Sequence, residues 1–335
     1  MGMGNKSQAK TLDHLISTYV ARRELVPVLK RQLLDGEREI KLEEADVLLD
    51  LLRAGTGCHA AVSVDSEGFT TMKQIEAAQL LSQPQINRRV SGLLKIDRKY
   101  LETKLPRSKT AAREVRLTEK GRAFAEGYWA DFSKFAQLVL AGIDASQRRS
   151  HIVVNYEMAR KIHGLALVRS EPPQHAEPVD NLMSLFTAAK DIRVAIERSV
   201  VLPEEGLSVE RADLLVILYV AAGFTSFGEL ERSLVHSFSP SRHIISRWIA
   251  QMGPGKSGLV KTRSLPRKRM AAAITQKGIA KVEPILERYN RLAEFLMADV
   301  SEQDRKTHLH VNQTIIDSIR PNLEDLITEE EAIIL

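Results

Sequence analysis

A single cysteine, Cys58, excludes an internal disulfide framework and any cysteine-rich zinc site. A chain so poor in thiols is expected in a reducing compartment, here the cytoplasm. Long apolar runs are missing too. The longest, "LLVILYVAAG" from Leu214, is about half of what a membrane-spanning helix needs. The opening "MGMGNKSQAK" holds no apolar stretch of the secretory kind, and Lys6 stands where an N-myristoylation signal carries Ser or Thr. No Ser/His/Asp, paired-carboxylate or metal-hydrolase constellation is legible, so the chain does not read as an enzyme. No cofactor motif survives inspection.

What is present is a repeat. The chain has 335 residues, enough for about two domains, with 44% hydrophobic and 27% charged residues. "KLPRSKTAAREVRLTEKG" from Lys104 and "SLPRKRMAAAITQKG" from Ser264 both run from a Leu-Pro-Arg bend to a T-x-K-G turn. Gly121 and Gly278 set an offset of 157, and at that offset Leu117–Ile162 runs without a gap against Ile274–Ile319. Thr118/Thr275, Lys120/Lys277, His151/His308 and Asn155/Asn312 are identical pairs. Upstream, "KLEEADVLLDLL" from Lys41 matches "SVERADLLVILY" from Ser208. Two copies of domain length mean duplication rather than a solenoid. The copies span 10–168 and 179–325, joined by the proline-rich "RSEPPQHAEP" at 169–178 and followed by an acidic-apolar tail at 326–335.

Each copy reads as mainly helical with a small β-hairpin, in the order helix, helix, helix, helix, hairpin, helix, helix. In the first helix Leu12, Leu15, Ile16, Tyr19, Leu25, Leu29 and Leu33 fall at helical spacing, and Pro27 is expected to kink or interrupt it. The second helices are each expected to stop at a glycine. "SQPQINRRVSGLLKI" and "SPSRHIISRWIAQM" form the fourth helices, each just before a basic loop.

Charge is segregated onto these parts. Ile86–Arg116 holds ten Lys/Arg against three acids, a net +7. Ser239–Met270 holds eight and no acid, so the rest of a chain of net charge +5 carries −10. One such loop would most simply be a solvated face. The same loop twice, each after a polar helix opening with Ser/Pro, is the footprint of a nucleic-acid reader.

The second helix, the fourth helix and the hairpin closing on "LTEKG" or "ITQKG" together resemble the MarR family of winged helix-turn-helix transcription regulators, present as a tandem duplication. Neither basic loop has the Asp-x-Arg tip usual in that family. The resemblance implies two winged helix-turn-helix domains forming an intramolecular pseudo-dimer on double-stranded DNA, with further self-association open. It implies a fourth helix in the major groove, with Gln85, Asn87, Arg88 and Arg89 in one copy and Ser241, Arg242, His243, Ser246 and Arg247 in the other. Gln85 and Asn87 answer to His243 or its neighbours and to Ser246. Arg107, Lys109 and Arg113, with Arg267, Lys268 and Arg269, would take the wings to the minor groove or backbone. An imperfect palindrome with half-sites about one helical turn apart is the implied site. Architectural or replication-initiator binding, and a winged-helix scaffold for protein partners, are the competing readings.

Other signals weigh less. "GPGKSG" at Gly253 contains G-K-S, but Ala250 stands where a P-loop needs glycine and a helix precedes, so it reads as a loop. Cys58 follows the second helix, whereas redox-sensing MarR relatives carry theirs in the first, and it reads as inert. His151, His308 and His310 are candidate metal ligands, against which stands the simpler account of satisfied structural histidines. Trp129, Phe132 and Phe135 read as core rather than a small-molecule effector pocket, though such an effector stays open.

Overall fold

The computed structural model describes residues 4–30, 33, 40–54, 62–79, 83–95, 97–104, 113–163, 176–202, 206–233, 242–266 and 269–333. Among the described residues the chain is mainly helical, with two small antiparallel sheets. Its elements are α1 (Gly4–Leu29), α2 (Leu42–Leu52), β1 (Thr70–Thr71), α3 (Met72–Gln79), α4 (Gln83–Leu93), β2 (Leu101–Lys104), β3 (Glu114–Leu117), α5 (Glu119–Val139) and α6 (Ala145–His163). The second copy continues with α7 (Pro178–Ser199), α8 (Val209–Ala221), β4 (Thr225–Ser226), α9 (Phe227–Ser233), α10 (Arg242–Met252), β5 (Val260–Leu265), β6 (Arg269–Ile274), α11 (Gln276–Met297) and α12 (Glu302–Ile333). The order is the expected one in both copies, with β1 and β4 added as short third strands. Among the described residues, no helix is long and apolar enough to cross a membrane.

The compact units do not follow the sequence copies. One unit comprises Met1–Glu24 with Ile192–Ser301; the other comprises Leu25–Asp191 with Glu302–Leu335. Each therefore takes its hairpin and the helices around it from one copy and a terminal segment from the other. The three divisions fall inside α1, inside α7 and just before α12.

In the unit of Leu25–Asp191 and Glu302–Leu335, α2 packs on α4 and α5, and the strands run in the order β1-β3-β2. Leu48, Ile75, Ile86, Leu93 and Val115 are fully buried at its centre. Phe132 and Phe135 belong to this core, with Phe132 edge-on to Phe186, while Trp129 lies under the Arg53 guanidinium at 4.1 Å. The histidines lie here as well. α6 and α12 pack together, and the rings of His151 and His308 stack with centroids 4.9 Å apart. Nε2 of His151 is 3.0 Å from Oδ1 of Asn312, and Nε2 of His308 is 3.2 Å from Oδ1 of Asn155. Residues that are equivalent in the repeat thus satisfy one another reciprocally, each imidazole donating to the other helix's amide oxygen. His310 is exposed, and no cluster of three or more His, Cys, Asp or Glu suited to a metal occurs among the described residues.

The other unit is built alike. Leu214, Leu215, Leu218, Ile245, Ile249, Met252, Val260 and Val282 form one core under strands ordered β4-β6-β5. Tyr289 on α11 donates to buried Asp213 on α8 at 2.8 Å.

Four expectations are corrected by the backbone. Pro27 does not interrupt α1, which runs on to Leu29 before a wider π-helical turn at Lys30 and Leu33. So close to the helix end its missing N–H forfeits a single ladder bond. Glycine does not end α8: Ala222 takes the left-handed conformation itself, at φ 50°. The T-x-K-G segments are helix N-termini rather than turns. Thr118 Oγ1 accepts from Gly121 N at 3.0 Å and Thr275 Oγ1 from Gly278 N at 3.1 Å, capping α5 and α11. The segment 326–333, read as a tail, continues the backbone of α12.

Candidate nucleic-acid interface

The fourth helix of each copy is held by three apolar side chains at i, i+4 and i+7. Ile86, Val90 and Leu93 are buried on α4; Ile245, Ile249 and Met252 are buried on α10. That spacing fixes one face inward and leaves the opposite face in solvent. These triplets pair the copies at an offset of 159, which carries on into Leu101 of β2 and Val260 of β5. Backbone bonds agree: Tyr100 N donates to Leu93 O at 3.0 Å, as Leu259 N does to Met252 O at 2.8 Å.

In this register Asn87 corresponds to Ser246 and Arg88 to Arg247, and all four are exposed. Gln85 is exposed and corresponds to Ile244; His243 and Arg242 are exposed and correspond to Pro84 and Gln83. Arg89 turns inward instead. Half-buried, it donates to Gln79 Oε1 at 2.8 Å and to Glu43 O at 3.3 Å, bracing α4 against α2 and α3. Its counterpart is Trp248, which packs on the second core. Arg89 is therefore removed from the solvent-facing set.

Arg113 directly precedes β3, Arg269 opens β6, and both are exposed. Arg107, Lys109, Ser241, Arg267 and Lys268, together with Cys58, lie outside the described residues. The "GPGKSG" stretch is the turn between α10 and β5, with Gly258 N bonded to Gly253 O at 3.0 Å and positive φ at Gly255 and Gly258.

The hairpins share a frame. Strand β3 pairs with β2 in the register Leu101↔Leu117, Glu102↔Arg116, Thr103↔Val115 and Lys104↔Glu114. Strand β6 pairs with β5 as Val260↔Ile274, Lys261↔Ala273, Thr262↔Ala272 and Arg263↔Ala271. Phe69 and Phe224, from the two Gly-Phe-Thr segments, underlie each base: Arg116 stands 4.5 Å over the Phe69 ring and Arg263 4.0 Å over Phe224. Cation–π contacts at such sites contribute about 0.5–1 kcal/mol.

Charge does not follow the frame. In the first copy Lys104 meets Glu67 at 2.8 Å and Asp65 at 3.7 Å, Arg116 pairs with Glu102, and Arg98 meets Glu44 at 3.0 Å. Hydrogen bonds from the Phe69 and Glu67 N–H groups, with Lys104 nearby, hold the Asp65 carboxyl below its usual range, while bonding to Glu67 raises the Lys104 ammonium above its own. In the second copy Arg242 reaches Glu231 only at 3.8 Å and stays 74% exposed, a geometry that contributes little. Among the described residues, Lys256, Lys261, Arg263 and Arg269 form no ion pair, and all are exposed.

A count of basic residues gave no warning of this. Glu67 and Asp65 lie upstream of the basic segment they neutralise, so only folding brings them to Lys104. The signal available beforehand was that two of the three acids in the basic segment, Glu102 and Glu114, lie on either side of the Leu-Pro-Arg bend. No protein-family model and no curated protein matches this chain.

Proposed function

We propose that the protein is a sequence-specific, double-stranded-DNA-binding transcription regulator. Two tandem MarR-like winged helix-turn-helix domains would act as an intramolecular pseudo-dimer at the nucleoid. One observation carries this reading. Two repeat-equivalent helices each turn an apolar triplet inward and a polar, cationic face outward, Asn87 and Arg88 on one and Ser246 and Arg247 on the other, beside a basic hairpin. Asn side chains suit adenine and Arg side chains guanine, so the two faces differ in what they would read. The reciprocal pairing of α6 with α12 supports the pseudo-dimer, because it joins equivalent helices through equivalent residues. Holding both readers on one chain makes the second half-site contact intramolecular, at an effective concentration on the order of mM.

Sequencing the DNA that co-purifies with the intact protein tests the reading. A few short sites with two unequal half-sites are expected, and Arg88→Ala with Arg247→Ala should each lower affinity for them by about 1–3 kcal/mol. Broad AT-rich occupancy would favour an architectural role, and no salt-sensitive duplex binding at all would favour a protein scaffold.

A further inference from the structure

The two hairpins differ in charge at the positions where the fold makes them equivalent. On β2 and β3 the cross-strand neighbours are Glu102 with Arg116 and Lys104 with Glu114; on β5 and β6 they are Lys261 with Ala273 and Arg263 with Ala271. Aligning the Gly-Phe-Thr segments places Val220 opposite Asp65 and Ala222 opposite Glu67. Among the described residues, every carboxylate that touches Lys104 or Arg116 is thus an apolar residue or a lysine in the second copy. Cations already bonded to carboxylates have less to offer a phosphate, since each must exchange one anion for another. Unpaired cations release condensed counterions at full effect, about 0.9 in the log–log salt slope per phosphate contacted.

Resting on the DNA-binding reading above, we propose that the two surfaces divide the work. The β5–β6 surface with α10 supplies the main electrostatic grip on the duplex backbone. The β2–β3 surface is held back by Asp65, Glu67 and Glu102, which keep Lys104 and Arg116 occupied. Affinity and salt dependence then come chiefly from the second copy, and the first adds selectivity through Asn87 and Arg88 more than attraction.

The test uses the full chain and a mixed-sequence B-form duplex long enough for two half-sites, read by fluorescence anisotropy across a potassium chloride series. Lys261→Ala with Arg263→Ala should lower affinity at least tenfold at low salt and reduce the slope by up to about 2. Glu67→Gln with Glu102→Gln should do the reverse, raising affinity several-fold and steepening the slope. A gain of this kind cannot arise from a damaged fold. Moving the first copy's pair into the second, as Lys261→Glu with Ala273→Arg, should match the loss. Wild-type binding that is salt-sensitive, with no gain from the glutamine pair or no loss from the alanine pair, would overturn the division of work and leave the DNA reading standing. Absence of salt-sensitive duplex binding by the wild-type chain would remove both.

Discussion

Lys99 and Ala222 are the described non-glycine residues with positive φ, at 49° and 50°. The repeat supplies an internal comparison for the first. In the register that pairs α4 with α10, Lys99 corresponds to Gly258, whose φ is 67°. One copy thus places glycine where the turn before the hairpin demands a left-handed residue, and the other tolerates a lysine. A Cβ in that conformation costs about 1–2 kcal/mol, offset by the roughly 0.5–1 kcal/mol of extra chain entropy that glycine loses on folding. Lys99→Gly and Ala222→Gly should each stabilise by roughly 0.5–1 kcal/mol and raise the melting temperature by a few degrees in thermal scans. Unchanged or lower melting temperatures would mean that solution backbones differ at these turns. Gly121 and Gly278 argue the other way. Their φ is ordinary, but an added Cβ would collide with the carbonyl oxygens of Tyr100 and Leu259. Alanine at either position should destabilise by about 1–3 kcal/mol, the usual range for overpacking. Their place in the sequence motif therefore reflects close backbone approach under a helix cap.

At the level of elements, buried His151 makes stability depend on pH. Burial lowers the His151 pKa from its ordinary 6.5 to about 4, against the smaller opposing effect of bonds to Asn312 and Asn181. The folded state therefore refuses a proton that the unfolded chain accepts. The associated stability is complete above the unfolded pKa and is lost as pH falls from about 6.5 toward 4, by up to ~3 kcal/mol at 1.36 kcal/mol per unit. Urea titrations at neutral pH and near pH 4.5 should show a smaller drop for His151→Gln than for the wild type. An equal drop would place the proton uptake elsewhere. The helices and their inward faces were legible beforehand, because period and cap residues are local signals: Ile86, Val90 and Leu93 announce their face by spacing alone. The partner of α6 was less so. His151, Asn155, His308 and Asn312 stand out in the sequence as repeat pairs, and the histidines read as structural rather than as metal ligands, but spacing alone does not say what they face. Only the approach of α6 to α12 shows that each imidazole meets the amide oxygen of the other helix. The inward turn of Arg89 was hidden for a related reason, since its acceptors Gln79 and Glu43 come from two other helices.

For the whole molecule, neither sequence copy closes a compact unit alone. Ile192–Ser301 is grouped with Met1–Glu24, and Leu25–Asp191 with Glu302–Leu335. Helix α12 belongs by sequence to the second copy but lays its buried Val311, Asn312, Ile315 and Ile316 into the unit that contains α6. Burying three aliphatic side chains of this size contributes about 1.5–3 kcal/mol each, before the reciprocal histidine–asparagine bonds are counted. The covalent join between the copies is consequently not what keeps them together once folded; it makes their pairing intramolecular during folding. A protease site inserted within 164–175 and cleaved in the folded protein should leave two pieces that co-elute in size-exclusion chromatography and part only in denaturant. Refolding of the cut protein should slow on dilution, whereas that of the intact chain should not, because cleavage turns an intramolecular pairing into a bimolecular one. Pieces that separate under native conditions would show that each copy completes its own unit in solution, and the exchange of terminal segments would have to be abandoned.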